Sequence, residues 1–229
     1  MITSFTKKTF FIFSLLIITN TLAQNTPTVY VEPVIALNYR VTAGYKHIFS
    51  VANRSYIYKD NEQYTKARHI DVAHFSELKI RENQSIALGV LYRFRANFGN
   101  SQEDELRITE QYSIKHKPKI VRYGHRLRAE QRLFNSNTAH RFRYRFTLDF
   151  PFSGEMVDVG EFYLIAGTEA LLSVKEESKP IYDHRFIGNI GMQLTEKTKL
   201  HAGIDYRYEN YTHDDSHAYL ITSSLIFSL

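Results

Sequence analysis

The sequence predicts an all-β protein, an antiparallel up-and-down transmembrane β-barrel of about 10–12 strands. Three observations carry that expectation. Apolar and polar residues alternate with period two along almost the whole chain after residue 23. The alternating segments are roughly 11–15 residues long, whereas globular strands run about five or six and a tilted membrane strand about 9–11. Charged residues, arginine above all, collect on one stripe of each segment.

The chain opens on a targeting pattern. Lys7 and Lys8 precede an apolar run from Phe10 to Ile18, interrupted only by Ser14, and Thr21 and Ala23 supply the small residues of a peptidase site. This reads as a secretory signal peptide over residues 1–23, because a spanning helix needs about 20 apolar residues. Residues 24–229 are then one barrel domain. Its first segment puts Val31, Ile35, Leu37, Tyr39 and Val41 on one face. Tyr45 to Tyr58 and Ala67 to Ile80 are noisier. Ile86, Leu88, Val90, Tyr92 and Phe94 form the next stripe, followed by Leu106, Ile108, Tyr112 and Ile114. Tyr123 to Phe134 has an apolar stripe of Leu127, Ala129 and Leu133.

The cleanest segment is His140 to Phe150. Phe142, Tyr144, Phe146, Leu148 and Phe150 alternate with Arg141, Arg143, Arg145, Thr147 and Asp149, a pattern expected by chance in about one window in a thousand. A helix here would place Arg145 and Asp149 on the same face as Phe142 and Phe146 and bury two charges. Later stripes are Phe162, Leu164, Ala166, Ala170 and Leu172; Phe186, Ile190, Met192 and Leu194; Leu200, Ala202, Ile204, Tyr206 and Tyr208; and Tyr219, Ile221, Leu225, Phe227 and Leu229. Eleven segments result. Single-chain bacterial barrels have even strand numbers, so the expectation is ten, with the first segment outside the closed sheet, or twelve, with a boundary missed.

Connections alternate in length. Short ones centre on Ala43, Glu82, Pro118 and Glu196; longer polar ones run from Asp60 to Thr65, Gly99 to Asp104, Lys175 to Asp183 and Thr212 to Ser216. Ser153 to Gly160 is long for the short side. Short inner turns and long outer loops are the topology of outer-membrane barrels. Tyr56, Tyr58, Tyr64, Tyr92, Tyr112, Tyr208 and Tyr211 fall near strand ends and are expected to form interfacial girdles in a chain without tryptophan.

Charge placement identifies the solvent on each face. Each arginine facing lipid near the midplane would cost about 2–4 kcal/mol, so the arginine stripe must look into the lumen. If residues 135–138 form a loop, Arg132 faces Arg141, Glu130 faces Arg143, Arg128 faces Arg145 and Arg126 faces Thr147. Like charges across strands need interleaved acids, and Asp149, Glu161, Glu169, Asp205 and Glu209 share the parity. The expected site is therefore a lumen charge network of Arg126, Arg128, Glu130, Arg132, Arg141, Arg143, Arg145, Asp149, Glu161, Glu169, Arg185, Asp205 and Arg207. A barrel this narrow, crossed by such side chains, leaves little permanent channel.

Composition removes several function classes. The absence of cysteine excludes disulfides, thiol nucleophiles, thiolate zinc sites and iron–sulfur clusters. The formal charge of +5 falls to +3 once Lys7 and Lys8 leave with the leader, too mild to argue for nucleic acid. His213, Asp214, Asp215 and His217 share one loop without a strand to fix them as a metal site, and His69 and Asp71 share a face as a hydrogen-bonded pair more than as ligands. Glu103 with Glu105, Glu176 with Glu177, and Asp214 with Asp215 fall in outer loops, where solvated charge is the plain reading and cation bridging to anionic headgroups the sharper one. Serines show no spacing that pairs them with histidine as a nucleophile.

The run YGHRLRAEQRLF from Tyr123, followed by HRFRYRFTLDFPF, resembles the R-x-R-x-E-x-R and R-x-R-Y-R pattern of an uncharacterised family, domain of unknown function 2490. Glu161, Arg185, Tyr206 and the apolar last strand extend the resemblance over most of the mature chain. It implies a secreted outer-membrane β-barrel of a Gram-negative bacterium and no established activity. The chain departs from the aromatic terminus of many barrels by ending on Leu229, two positions after Phe227. The expectation is thus a non-enzymatic outer-membrane barrel, structural or a narrow transport element, without cofactor or metal. Its expected partners are outer-membrane lipids, lipopolysaccharide and the barrel insertion machinery. The alternatives are a soluble periplasmic or secreted barrel for a small ligand, and a membrane-embedded lipid hydrolase or acyltransferase.

Overall fold

The alternation seen in the sequence is realised as one closed sheet. A computed structural model describes residues 26–99 and 103–229; the expected leader at residues 1–23 lies outside them. The strands are β1 (Thr28–Thr42), β2 (Tyr45–Lys59), β3 (Glu62–Arg81), β4 (Gln84–Phe94), β5 (Glu105–His116), β6 (Arg122–Leu133), β7 (Thr138–Pro151), β8 (Phe162–Lys175), β9 (Ile181–Thr195), β10 (Thr198–Glu209) and β11 (Ser216–Ser228). A short 3-10 turn at Ala96–Phe98 is the only helical element among the described residues.

Each strand pairs antiparallel with its sequence neighbours, and β1 pairs parallel with β11. Among the described residues the closed sheet therefore has eleven strands, and neither ten nor twelve. An odd count leaves the first and last strands running the same way, so closure needs a parallel seam. It runs from Thr28 opposite Ala218 to Asn38 opposite Ser228. The backbone bonds Arg40 N–H to Leu229 O (3.0 Å) and Leu229 N–H to Asn38 O (2.9 Å) continue it to the chain end. Closure removes both sheet edges.

The two faces separate as the stripes predict. Ile35, Leu88, Leu127, Phe142, Phe186 and Ile204 point outward and are exposed, whereas Glu105, Glu130 and Glu169 point inward with almost no exposed surface. One carboxylate interrupts the outward apolar stripe. Glu110 lies on the outward parity of β5, exposed between Leu88 and Ala129 of the neighbouring strands.

Two local expectations are corrected. The predicted loop from Asp60 to Thr65 is a two-residue turn at Asp60 and Asn61, because both adopt left-handed φ (54° and 68°) and let β2 and β3 continue to it. The β6–β7 turn is tighter than a 135–138 loop. The Phe134 N–H donates to Asn137 O at 2.9 Å, and Arg132 lies opposite Ala139, Glu130 opposite Arg141, Arg128 opposite Arg143 and Arg126 opposite Arg145. The register is displaced by two residues, which preserves every side chain's face and changes its cross-strand partner. Among the girdle tyrosines, Tyr64, Tyr92 and Tyr211 are exposed, but Tyr56 turns inward against the buried Tyr30 with ring centroids 4.9 Å apart.

Candidate functional site in the charged lumen

Alternate residues of adjacent strands stack their side chains on one face, so the arginine runs of β6 and β7 make a guanidinium ladder inside the barrel. Arg128 beside Arg143 and Arg126 beside Arg145 are like-charge pairs. Carboxylates from the flanking strands offset them. Glu169 of β8 lies opposite Arg145 on one side and Arg185 on the other. Its Oε1 accepts from Arg145 Nε (2.8 Å) and Arg126 Nη2 (3.4 Å), and its Oε2 from Arg143 Nη2 (2.7 Å) and Arg185 Nη1 (3.4 Å). These four contacts match the lone-pair capacity of a carboxylate. Arg143 also donates through Nη1 to Glu130 at 2.7 Å, with Arg107 and Arg128 at 3.7 and 3.8 Å from the same carboxylate.

A second hub was missed by sequence reasoning. Glu105, paired in the sequence with Glu103 as loop charge, is the first residue of β5 and is fully buried. Its carboxylate accepts from Arg132 (Nε 2.6 Å, Nη2 3.0 Å), Arg107 (Nη2 2.7 Å) and Arg95 (Nη2 3.1 Å), with Arg93 at 3.9 Å. Arg93 in turn holds Asp71 through two bonds of 2.6 Å. The strict parity of Glu105 with Arg107 was the available signal. Glu103 instead accepts from the backbone and hydroxyl of Ser136, both at 3.1 Å.

The other expected residues divide. Arg141 donates to Ser173 Oγ at 2.8 Å. Asp149 pairs with Arg122 at the short-turn rim, away from the ladder's acids. Glu161 is outside the network: it accepts from Ser153 Oγ and the Asp158 N–H, both at 3.0 Å, and so closes the β7–β8 turn. Asp205 and Arg207 point inward from β10, but neither belongs to the ion pairs of the Glu105, Glu130 and Glu169 cluster among the described residues. On the other side of the lumen, Arg54 pairs with Glu32 and Arg68 donates to the Tyr30 hydroxyl at 2.6 Å. His69 is buried 3.8 Å from Asp71, with both ring nitrogens lacking a hydrogen bond.

The filling is continuous around the ring. Tyr30, Arg54, His69, Arg107, Glu130, Glu169, Arg185, Arg207 and Leu220, from nine different strands, are each less than a tenth exposed. Side chains thus occupy the lumen across that level.

Among the described residues the outer wall carries one serine–histidine contact. Ser76 Oγ is 3.3 Å from His47 Nδ1, and the same nitrogen is 2.9 Å from His74 Nε2. A nucleophile relay uses one imidazole nitrogen for the hydroxyl and the other for the orienting group, so this shared nitrogen does not build one. His217 is the second residue of β11 and not part of the loop before it; its Nε2 is 3.7 Å from Asp215, and its ring stacks on Tyr208 at 5.1 Å.

A family model described as "Protein of unknown function (DUF2490)" matches residues 34–218. Neither a curated protein nor a solved structure matches the chain.

Proposed function

The chain belongs to this family of proteins of unknown function, and from that premise we propose that it is a non-enzymatic outer-membrane β-barrel with a sealed lumen, a scaffold and not an open pore. The observation that carries the reading is the inversion of its two faces. Ile35 is 60% exposed and Leu127 54%, while Glu105 is 0% and Glu169 1%. Soluble barrels place charge outside and apolar residues inside. An outward apolar belt of this extent is costly in water, whereas hydrocarbon solvates it and leaves the guanidinium ladder enclosed in the lumen. The leader pattern ending at Ala23 supports export. Lipid, lipopolysaccharide and the insertion machinery are the partners this placement requires.

Sealing follows from the buried ring of charged side chains. It favours a structural role over a narrow transport path, because a solute would have to break several buried ion pairs at once. The test has three readouts on the full chain expressed with its leader. Recovery in the outer-membrane fraction, heat-modifiable migration and no steady conductance in a planar bilayer are expected. Recovery as a soluble periplasmic protein would favour the ligand-binding barrel instead, steady conductance a transport element, and hydrolysis of phospholipid or lipopolysaccharide an enzyme.

A further inference from the structure

The buried ladder is not balanced. Nine arginines lie within ion-pair distance of Glu105, Glu130 and Glu169, and even with Asp71 the cluster keeps a surplus of positive charge. Part of that surplus faces an open space. On the short-turn side of the filled level the lumen holds a cavity of about 480 Å³, within the rough 300–1,000 Å³ range of small-molecule sites. A second cavity of about 340 Å³ shares Lys46, Glu77, Ser113 and Lys115 with it and opens at the short-turn rim.

The chamber has two unlike walls. One carries Arg126, Arg128, Arg145 and Lys115 from β5–β7. The carboxylate that lines the chamber, Glu77 of β3, is occupied by Lys46 of β2 at 3.0 Å. The facing wall is Val34, Ala36, Ile48, Phe75 and Ala87 from β1–β4. These are inward residues that depart from the polar parity of the lumen. The Phe75 ring lies against Gly89, where a Cβ would come within 2.2 Å of it, and Arg128 sits 5.2 Å over the same ring. Arg128 also directs two N–H groups at one neutral acceptor, Gln111 Oε1, at 3.1 and 2.6 Å. A guanidinium fork fits a carboxylate better than an amide oxygen.

We propose that this chamber binds an amphiphilic monoanion, a single acyl chain ending in a carboxylate, which enters from the short-turn rim. The carboxylate is held by Arg128 and its cationic neighbours, and the chain lies along the Val34–Ile48–Phe75 wall. A purely inorganic anion would leave that wall in water, and a neutral chain would leave the cations uncompensated. The filled level above makes the chamber blind, so the ligand leaves by the rim through which it entered. The inference rests on the membrane reading only for its experimental medium.

The test uses the full barrel in phosphatidylcholine nanodiscs, with a dansyl-labelled undecanoate as reporter and empty nanodiscs as the partition control. Dodecanoate is expected to displace the reporter saturably, at a concentration at least ten-fold below that for dodecanol, dodecyltrimethylammonium or acetate. Arg128→Gln and Ala36→Phe, the second filling the apolar side, are each expected to weaken dodecanoate about ten-fold. Equal displacement by dodecanol or by acetate overturns the proposal, as does unchanged affinity in folded Arg128→Gln. Lys115→Gln touches none of the buried ion pairs and serves where the Arg128 variant does not fold; weakened binding supports the site and unchanged binding overturns it. Failure to enter nanodiscs counts against the membrane reading alone, and the chain is then assayed in buffer with the same probes.

Discussion

Arg143 donates to Glu130 at 2.7 Å although the residue across the strand from it is Arg128. The contact is diagonal. The long guanidinium stem reaches past a like-charged neighbour to the acid one pair further along, and its other nitrogen reaches Glu169 at 2.7 Å. One arginine thereby joins two carboxylates that the backbone ladder places on different strands.

Removing one partner of a buried ion pair leaves an uncompensated charge and costs about 3–5 kcal/mol. Arg143→Met is therefore expected to destabilise the barrel by an amount in that range. Glu130→Gln in the Arg143→Met background is expected to cost less than in the wild type. Urea titration of the folded form in lipid vesicles measures the cycle, and strict additivity would show that the two groups are not coupled.

Glu105 and Glu103 are two residues apart in sequence, with opposite expected responses. Glu105→Gln removes the buried negative charge shared by Arg95, Arg107 and Arg132, sets an amide NH2 against their guanidinium donors, and is expected to lower the urea midpoint strongly. Glu103→Gln keeps an acceptor for Ser136 and is expected to leave the midpoint nearly unchanged.

The outer face is tested by a pair of substitutions of opposite sign. Leu127→Arg puts a charge on the hydrocarbon side and is expected to cost about 2–4 kcal/mol in a bilayer. Glu110→Leu removes the carboxylate that interrupts the apolar belt and is expected to stabilise the vesicle-inserted barrel. Stabilisation by Leu127→Arg would place that face in water.

The parallel seam predicts a crosslink. Ile35 lies beside Leu225, and the chain has no cysteine to compete. Ile35→Cys with Leu225→Cys is expected to oxidise to a circularised product that migrates faster on a denaturing gel. An antiparallel closure of ten or twelve strands would not bring these positions together.

Asp104 precedes β5 and accepts from the backbone N–H groups of Arg95 (2.7 Å) and Ala96 (3.0 Å). These bonds, that from Arg95 first, hold its carboxyl below its usual range. A depressed folded-state pKa means that the ordering it contributes is present above the unfolded value, about 3.9, and is lost as pH falls through the folded one. Amide exchange at Arg95 and Ala96 is expected to accelerate relative to the strands on acidification through that range. Asp104→Ala is expected to show the accelerated exchange already at neutral pH.

The amino-acid order by itself determined the strands, their faces and the inward aim of the arginines, because side-chain parity is a local property of an extended backbone. It also marked Arg126 to Arg145 as one ladder. Tertiary structure decided what depends on distant strands. The slip of two residues in the β6–β7 register preserved parity and was invisible to it. Glu105 read as loop charge because the residue that defines its environment, Arg132, comes from the far end of the next strand, β6. The parallel pairing of Thr28–Asn38 with Ala218–Ser228 follows only once the sheet has curled enough to bring first and last strands together, and the chamber between the Arg128 and Phe75 walls exists only after that closure.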